Sequence, residues 1–153
     1  MQNENRITPG DVKAYLKQCF WISKEMQDTA NRLRRLISSA ERTTPIISDL
    51  PHGTDHGTSR VEEFAVEIAL LKEQLQERIS QLMQAERAAR EMISLLDDSL
   101  QRNILIDWHI NRLSPAKMAL KYNYAEGYIR NLRYKAYQEI ADKMNERNQS
   151  LDL

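Results

Sequence analysis

The stretch SPAKMALKYNYAEGYIRNLRYKAYQEI, Ser114 to Ile140, decides the reading of this chain. Ser114 can cap a helix and Pro115 suits its first position, because the ring has no N–H to satisfy there. Met118, Ala119 and Tyr122 then fall on one face. Asn123 follows, a residue that tolerates the left-handed backbone a tight turn needs. Tyr124, Ile129 and Leu132 face inward next, so the pattern predicts two short helices crossing closely at Ala119. The outward face of the second is Glu126, Arg130, Asn131, Arg133, Tyr134 and Lys135. Arg and Lys pair with phosphate or guanine, Asn with adenine, and Glu accepts from cytosine. A DNA-reading helix-turn-helix presents these residue types at helical spacing, with Lys117 and Lys121 placed to hold phosphates.

Charge distribution agrees. The whole chain has a formal net charge of +0, yet Asn111 to Ile140 holds six Lys or Arg against two acids. A basic segment is therefore joined to a mildly acidic remainder. With four Gly, four Pro and 29% charged residues in 153, the composition favours an all-α fold. Asp98 with Gln101 is a cap pattern for a helix through Leu100, Ile104, Leu105, Trp108 and Leu113, with Trp108 in the core. The helix-turn-helix domain is accordingly drawn at 97–145.

Upstream, residues 8–96 predict a helical hairpin or coiled coil. Thr8, Pro9 and Asp11 announce a helix running to about Ile37. Val12, Cys19, Met26 and Leu33 repeat every seven residues, interleaved with Tyr15, Ile22, Thr29 and Leu36, an a/d seam. Residues 38–59 hold two prolines, two glycines and many Ser and Thr, and are expected to form a flexible loop. Ser59 and Glu62 give a capping box for a second helix from Arg60 to Leu96. Its seam is Val61, Phe64, Ile68, Leu71, Leu75, Leu82, Ala85, Ala89, Met92 and Leu96, with Arg78 as an intruder. Such seams imply core packing and oligomerisation, with a homodimer through the heptad helices as the expected state.

The other chemistries find little support. His52, Asp55 and His56 lie between glycines in the expected loop, with no second cluster to complete a site, so no metal is expected. Cys19 lies in a seam and reads as a small buried hydrophobe. No nucleophile–base spacing, phosphate loop or paired carboxylates appear, so neither an enzyme nor a cofactor is expected. No apolar run suits a bilayer span or signal peptide, and a single cysteine suits a reducing compartment, so a cytoplasmic location is expected, with no membrane partner.

The run EGYIRNLRYKA, Glu126 to Ala136, resembles the recognition helix of sigma factor region 4. LLDDSLQRNILIDWHINRLSPAKMALKYNY resembles that domain's preceding helices, so the likeness spans about Leu95 to Ile140. The whole layout is similar to small phage and prophage DNA-binding proteins, among them late transcription regulators of the ArpU type. This resemblance implies a sequence-specific regulator that binds double-stranded DNA, with RNA polymerase as a further candidate partner. It assigns base and phosphate contacts to Glu126, Arg130, Asn131 and Lys135. Two positions depart from the pattern: Ala125 replaces a usual Ser or Thr cap, and Gly127 replaces a base-contacting acid of primary sigma factors. The alternatives are a phage DNA-packaging component resembling a small terminase subunit and an adaptor that touches polymerase without DNA.

Overall fold

The computed structural model describes residues 5–47 and 56–152, with side chains for 5–43 and 59–152. Among them the chain is all-α, with helices α1 (Pro9–Ile47), α2 (His56–Ile93), α3 (Ser99–His109), α4 (Pro115–Tyr122) and α5 (Glu126–Leu151). Among the described residues no helix is long and apolar enough to cross a membrane. His52 and Asp55 lie outside the described residues, as does the side chain of His56.

α1 opens as its residues dictate. Thr8 Oγ1 accepts from the Asp11 amide at 3.2 Å, and the Asp11 carboxylate accepts from the Thr8 amide at 2.9 Å. Two orphan amides of the first turn are thereby satisfied. At its far end, however, α1 continues to Ile47 and does not yield to a loop at Ser38. Ser39 donates its hydroxyl to the Arg35 carbonyl at 3.0 Å and Thr43 to that of Ser39 at 2.8 Å. These hydroxyls bond back one turn, so residues that usually compete with a helix are accommodated inside it. Pro45 falls in the last turn, where the ladder is already ending. α2 likewise starts earlier than expected, at His56, leaving Ser59 inside the first turn and not at the cap. The expected loop 38–59 is therefore helical at both its ends.

The chain divides into two compact units, Ile22–Leu82 on the one hand and residues 1–21 with 83–153 on the other. The boundaries fall inside the long helices, whereas the sequence suggests a division at 96/97. The first unit is a pair of helical stretches with a narrow apolar stripe: Leu33, Leu71 and Leu82 are buried, as are Ser23 and Thr29. Thr29 satisfies its hydroxyl on the Glu25 carbonyl at 3.0 Å. Arg78, the intruder in the seam, reaches Glu25 at 3.0 Å and Gln81 at 3.2 Å. Its position thus carries an ion pair where an apolar contact is expected, and Ile79 stays exposed.

The second unit holds the larger core. Val12, Leu16 and Cys19 of α1 pack with Ala89, Ile93 and Leu96, with Leu105 and Ile110, and with Ala136, Tyr137, Ile140 and Ala141 of α5. The buried partner of Val12 and Cys19 is Leu16; Tyr15, assigned to the seam by heptad counting, is exposed. Cys19 is buried and forms no disulfide, and burial pushes its thiol pKa up. A smaller cluster, Ile104, Met118 and Ile129, ties α3, α4 and α5 together. Adjacent residues of α3 thus serve two cores, Ile104 one and Leu105 the other.

Polar clasps close this unit. Arg102 donates to the carbonyls of Leu96 at 2.7 Å and Asp97 at 2.8 Å, which caps the segment leaving α2. Lys143 donates to the Leu95 carbonyl at 2.7 Å and the Asp97 carboxylate at 2.8 Å. Asn145 holds both backbone groups of Ile7, accepting from its amide at 2.9 Å and donating to its carbonyl at 2.8 Å.

Candidate nucleic-acid interface

The punctuation between Asp98 and Glu126 produces the expected local geometry. Asp98 caps α3 by accepting from the Leu100 amide at 2.8 Å. α3 ends at His109, short of the expected Leu113, and Arg112 turns the chain with φ 54°. Ser114 caps α4 through the Lys117 amide at 3.3 Å, and Pro115 is its first residue. Asn123 takes the left-handed conformation, φ 56° and ψ 44°, and its amide bonds to the Ala119 carbonyl. Ala119 is part-buried beside Met118 and Ile129, as a close helix crossing requires. α5 then begins at Glu126 after Ala125, which supplies no side-chain cap. Glu126 itself places a negative charge in the first turn, which the helix dipole favours.

A buried carboxylate fixes the turn. Asp107 on α3 is 3% exposed. It accepts from Asn111 Nδ2 at 2.8 Å, from Lys121 Nζ at 2.7 Å and from the Tyr122 hydroxyl. Burial alone would raise the Asp107 pKa, but the three donors together hold it below the usual carboxylate value. Burial, then the neighbouring Asp107 charge, push the Tyr122 hydroxyl pKa well up. α3 and α4 are thereby locked by charge-assisted bonds and not by packing alone.

A second polar pair lies beneath α5. His109 Nε2 and the Tyr137 hydroxyl are 2.7 Å apart and buried. Burial first, then the positive charges of Arg133 and Lys13, lower the His109 pKa to about 4, so the ring is neutral near pH 7.

The candidate contact residues separate into three groups. Lys117, Glu126, Arg130, Asn131, Tyr134 and Lys135 are exposed. Lys121 is exposed too, but its ammonium is committed to Asp107, so its first role is to hold the turn. Arg133 contradicts the expected outward face: it is 8% exposed, and its guanidinium lies 3.8 Å above the Trp108 ring. Position 133 stands four residues after Ile129 and three before Ala136, both buried, so helical geometry turns it inward whatever its charge.

Two further side chains depart from expectation or went unnoticed. Tyr124, expected to face inward, is exposed and meets Tyr128 with ring centroids 4.9 Å apart. Leu120 on α4 is 84% exposed, an apolar residue on the outer face of the turn. The Asp107 hub was also missed, although an acid four residues before Asn111 within the apolar run of α3 was a signal for it. Among the described residues no group of His, Cys, Asp and Glu could hold a metal ion. The chain matches no protein-family model, no curated protein and no solved structure.

Proposed function

We propose that the chain is a sequence-specific DNA-binding regulator whose α5 enters the major groove, in keeping with its resemblance to phage proteins that carry a region 4-like helix-turn-helix. One observation carries the reading: Glu126, Arg130, Asn131 and Lys135 are exposed along the first turns of α5, behind a turn set by Asn123 and braced by Asp107. Side chains with hydrogen-bonding ends on a rigid, exposed helix start are what base-edge readout requires. Lys117, exposed in the first turn of α4, is placed to hold a backbone phosphate. RNA polymerase remains a proposed second partner.

A homodimer belongs to the same proposal, but its surface must differ from the one the heptads suggest. Leu33, Leu71 and Leu82 in one unit and Val12, Cys19 and Ala89 in the other are already buried within a single chain. Val61, Val66, Leu70, Ile79 and Met83 are the exposed large apolar side chains of α2 among the described residues, and Val66 and Leu70, one turn apart, are the pair proposed to meet a second copy.

Selection of bound fragments from a random duplex pool at a stated salt concentration tests the reading. A recovered motif is expected, and Arg130→Ala should weaken binding to it by about 1–3 kcal/mol. Equal binding by the wild type and an Arg130→Ala/Asn131→Ala double variant would sink it. A ring of many subunits in native mass measurement would favour DNA packaging over regulation. Polymerase capture without any DNA shift would favour an adaptor.

A further inference from the structure

Arg133 occupies a core position without the partners a buried cation usually has. Its Nε is buried and bonded to nothing, and neither Arg133 nor Arg130 has an ion-pair partner among the described residues. Stacking on Trp108 and the interaction with the Tyr137 hydroxyl offset part of the cost of burying the charge, and leave Nε without a partner. Arg133 forms one wall of a cleft of about 180 Å³, completed by Trp108, Pro115, Glu126, Ile129 and Arg130. Pro115 opens α4, so the positive end of that helix also borders the cleft.

We propose that this cleft receives one backbone phosphate of the DNA, held by the guanidinium groups of Arg133 and Arg130. The inference rests on the DNA-binding reading above and adds to it a fixed anchor. A small anion fits the volume, whereas a base does not need so deep a seat. Glu126 and Arg130 belong both to the rim of the cleft and to the exposed start of α5, so a duplex lying along that helix brings its backbone to the opening. The phosphate oxygens accept from the Arg133 guanidinium, whose Nε is buried without a hydrogen-bond partner, and a small shift of that side chain opens Nε to the cleft and adds a charge-assisted bond. Arg133 then sets the register of α5 on the duplex and reads no base. A carboxylate from a protein partner is the competing occupant.

The full chain and a duplex from the selected pool provide the test. Arg133→Met keeps a long apolar side chain over Trp108 and removes the charge. It is expected to bind every sequence about tenfold more weakly, with the same motif and with a salt slope shallower by about one. A scan of neutral methylphosphonates along the duplex should find one position that weakens the wild type and leaves Arg133→Met unaffected. Arg133→Lys, which keeps the charge without the Nε donor, covers the case in which the methionine variant melts early; it should lose affinity at that same phosphate. Wild-type affinity and salt slope in a folded Arg133→Met or Arg133→Lys chain would overturn the cleft while leaving DNA binding intact. No DNA binding by the wild type would overturn both. In a Trp21→Phe chain, Trp108 fluorescence should respond to inorganic phosphate. A response to a glutamate-rich peptide and none to phosphate would assign the cleft to a protein and overturn the proposal.

Discussion

The helix-turn-helix and the long pair of helical stretches at 22–82 are built from similar residues but held in different ways. Around α3 and α4 the ionisable groups of the hub are paired, Asp107 with three donors and His109 with Tyr137, although Gln101 Oε1 is buried without a partner. The 22–82 unit has a thin stripe of Leu33, Leu71 and Leu82, a hydroxyl on Ser23 that is buried without a partner, and an ion pair between Glu25 and Arg78 whose side chains are both partly exposed. The contrast teaches where uniqueness comes from. Apolar stripes specify that two helices meet; a satisfied polar hub specifies a single relative position, which the proposed reading surface needs.

Acid should break the comparison most sharply. His109 has its folded pKa lowered from 6.5 to about 4, so its contribution is intact above 6.5 and is lost as pH falls toward 4. The loss should approach about 3 kcal/mol, since the unfolded chain takes up the proton first. Urea unfolding followed by circular dichroism between pH 7 and 4 measures it, and His109→Gln should flatten that part of the profile. A slope unchanged in His109→Gln would contradict the assignment.

Removing one donor from the hub comes next. Lys121→Ala leaves buried Asp107 with two donors and should destabilise the fold by about 1–3 kcal/mol. The matching change in the other unit, Arg78→Ala, should cost at most about 1 kcal/mol, because its ion pair lies partly in water. Equal midpoints for the two variants in thermal melts would erase the distinction drawn here. Smallest is Gly127→Ala. Nothing lies within 4 Å of a Cβ built at this helical position, so the alanine should stabilise α5 by roughly 0.5–1 kcal/mol. Weaker DNA binding by that more stable variant would show that the duplex approaches the backbone at Gly127.

What could be read in advance follows the same division. Ser114, Pro115, Asn123 and Asp98 act through backbone geometry within a few residues, so their roles were legible from the sequence. Residues 38–47 misled because Ser and Thr hydroxyls have two outlets, a turn or the carbonyl one turn back, and only the three-dimensional setting chooses. Arg133 misled because its charge outweighed its spacing: positions 129, 133, 136 and 137 form one inward face, and a cation was assumed to leave it. Tyr15 was placed in the seam by a seven-residue count, while a straight helix of 3.6 residues per turn brings Leu16 there instead. Local spacing turns Asp107 and Arg133 inward, but it does not name their partners, Lys121 and Trp108, which long-range packing supplies.

Asn145 holding Ile7 has a consequence for the order of synthesis. The two residues are 138 positions apart, and the first turns of α1 also pack with Tyr137 and Ile140 of α5, far along the chain. On the ribosome Val12 and Leu16 therefore stay incompletely covered until α5 has emerged. Contacts closed over such distances are slow to form, so the nascent chain passes through an interval in which its α1 sequence is open to chaperones. Once α5 arrives, Asn145 latches Ile7. Slow exchange of the Ile7 amide hydrogen would mark the latched state.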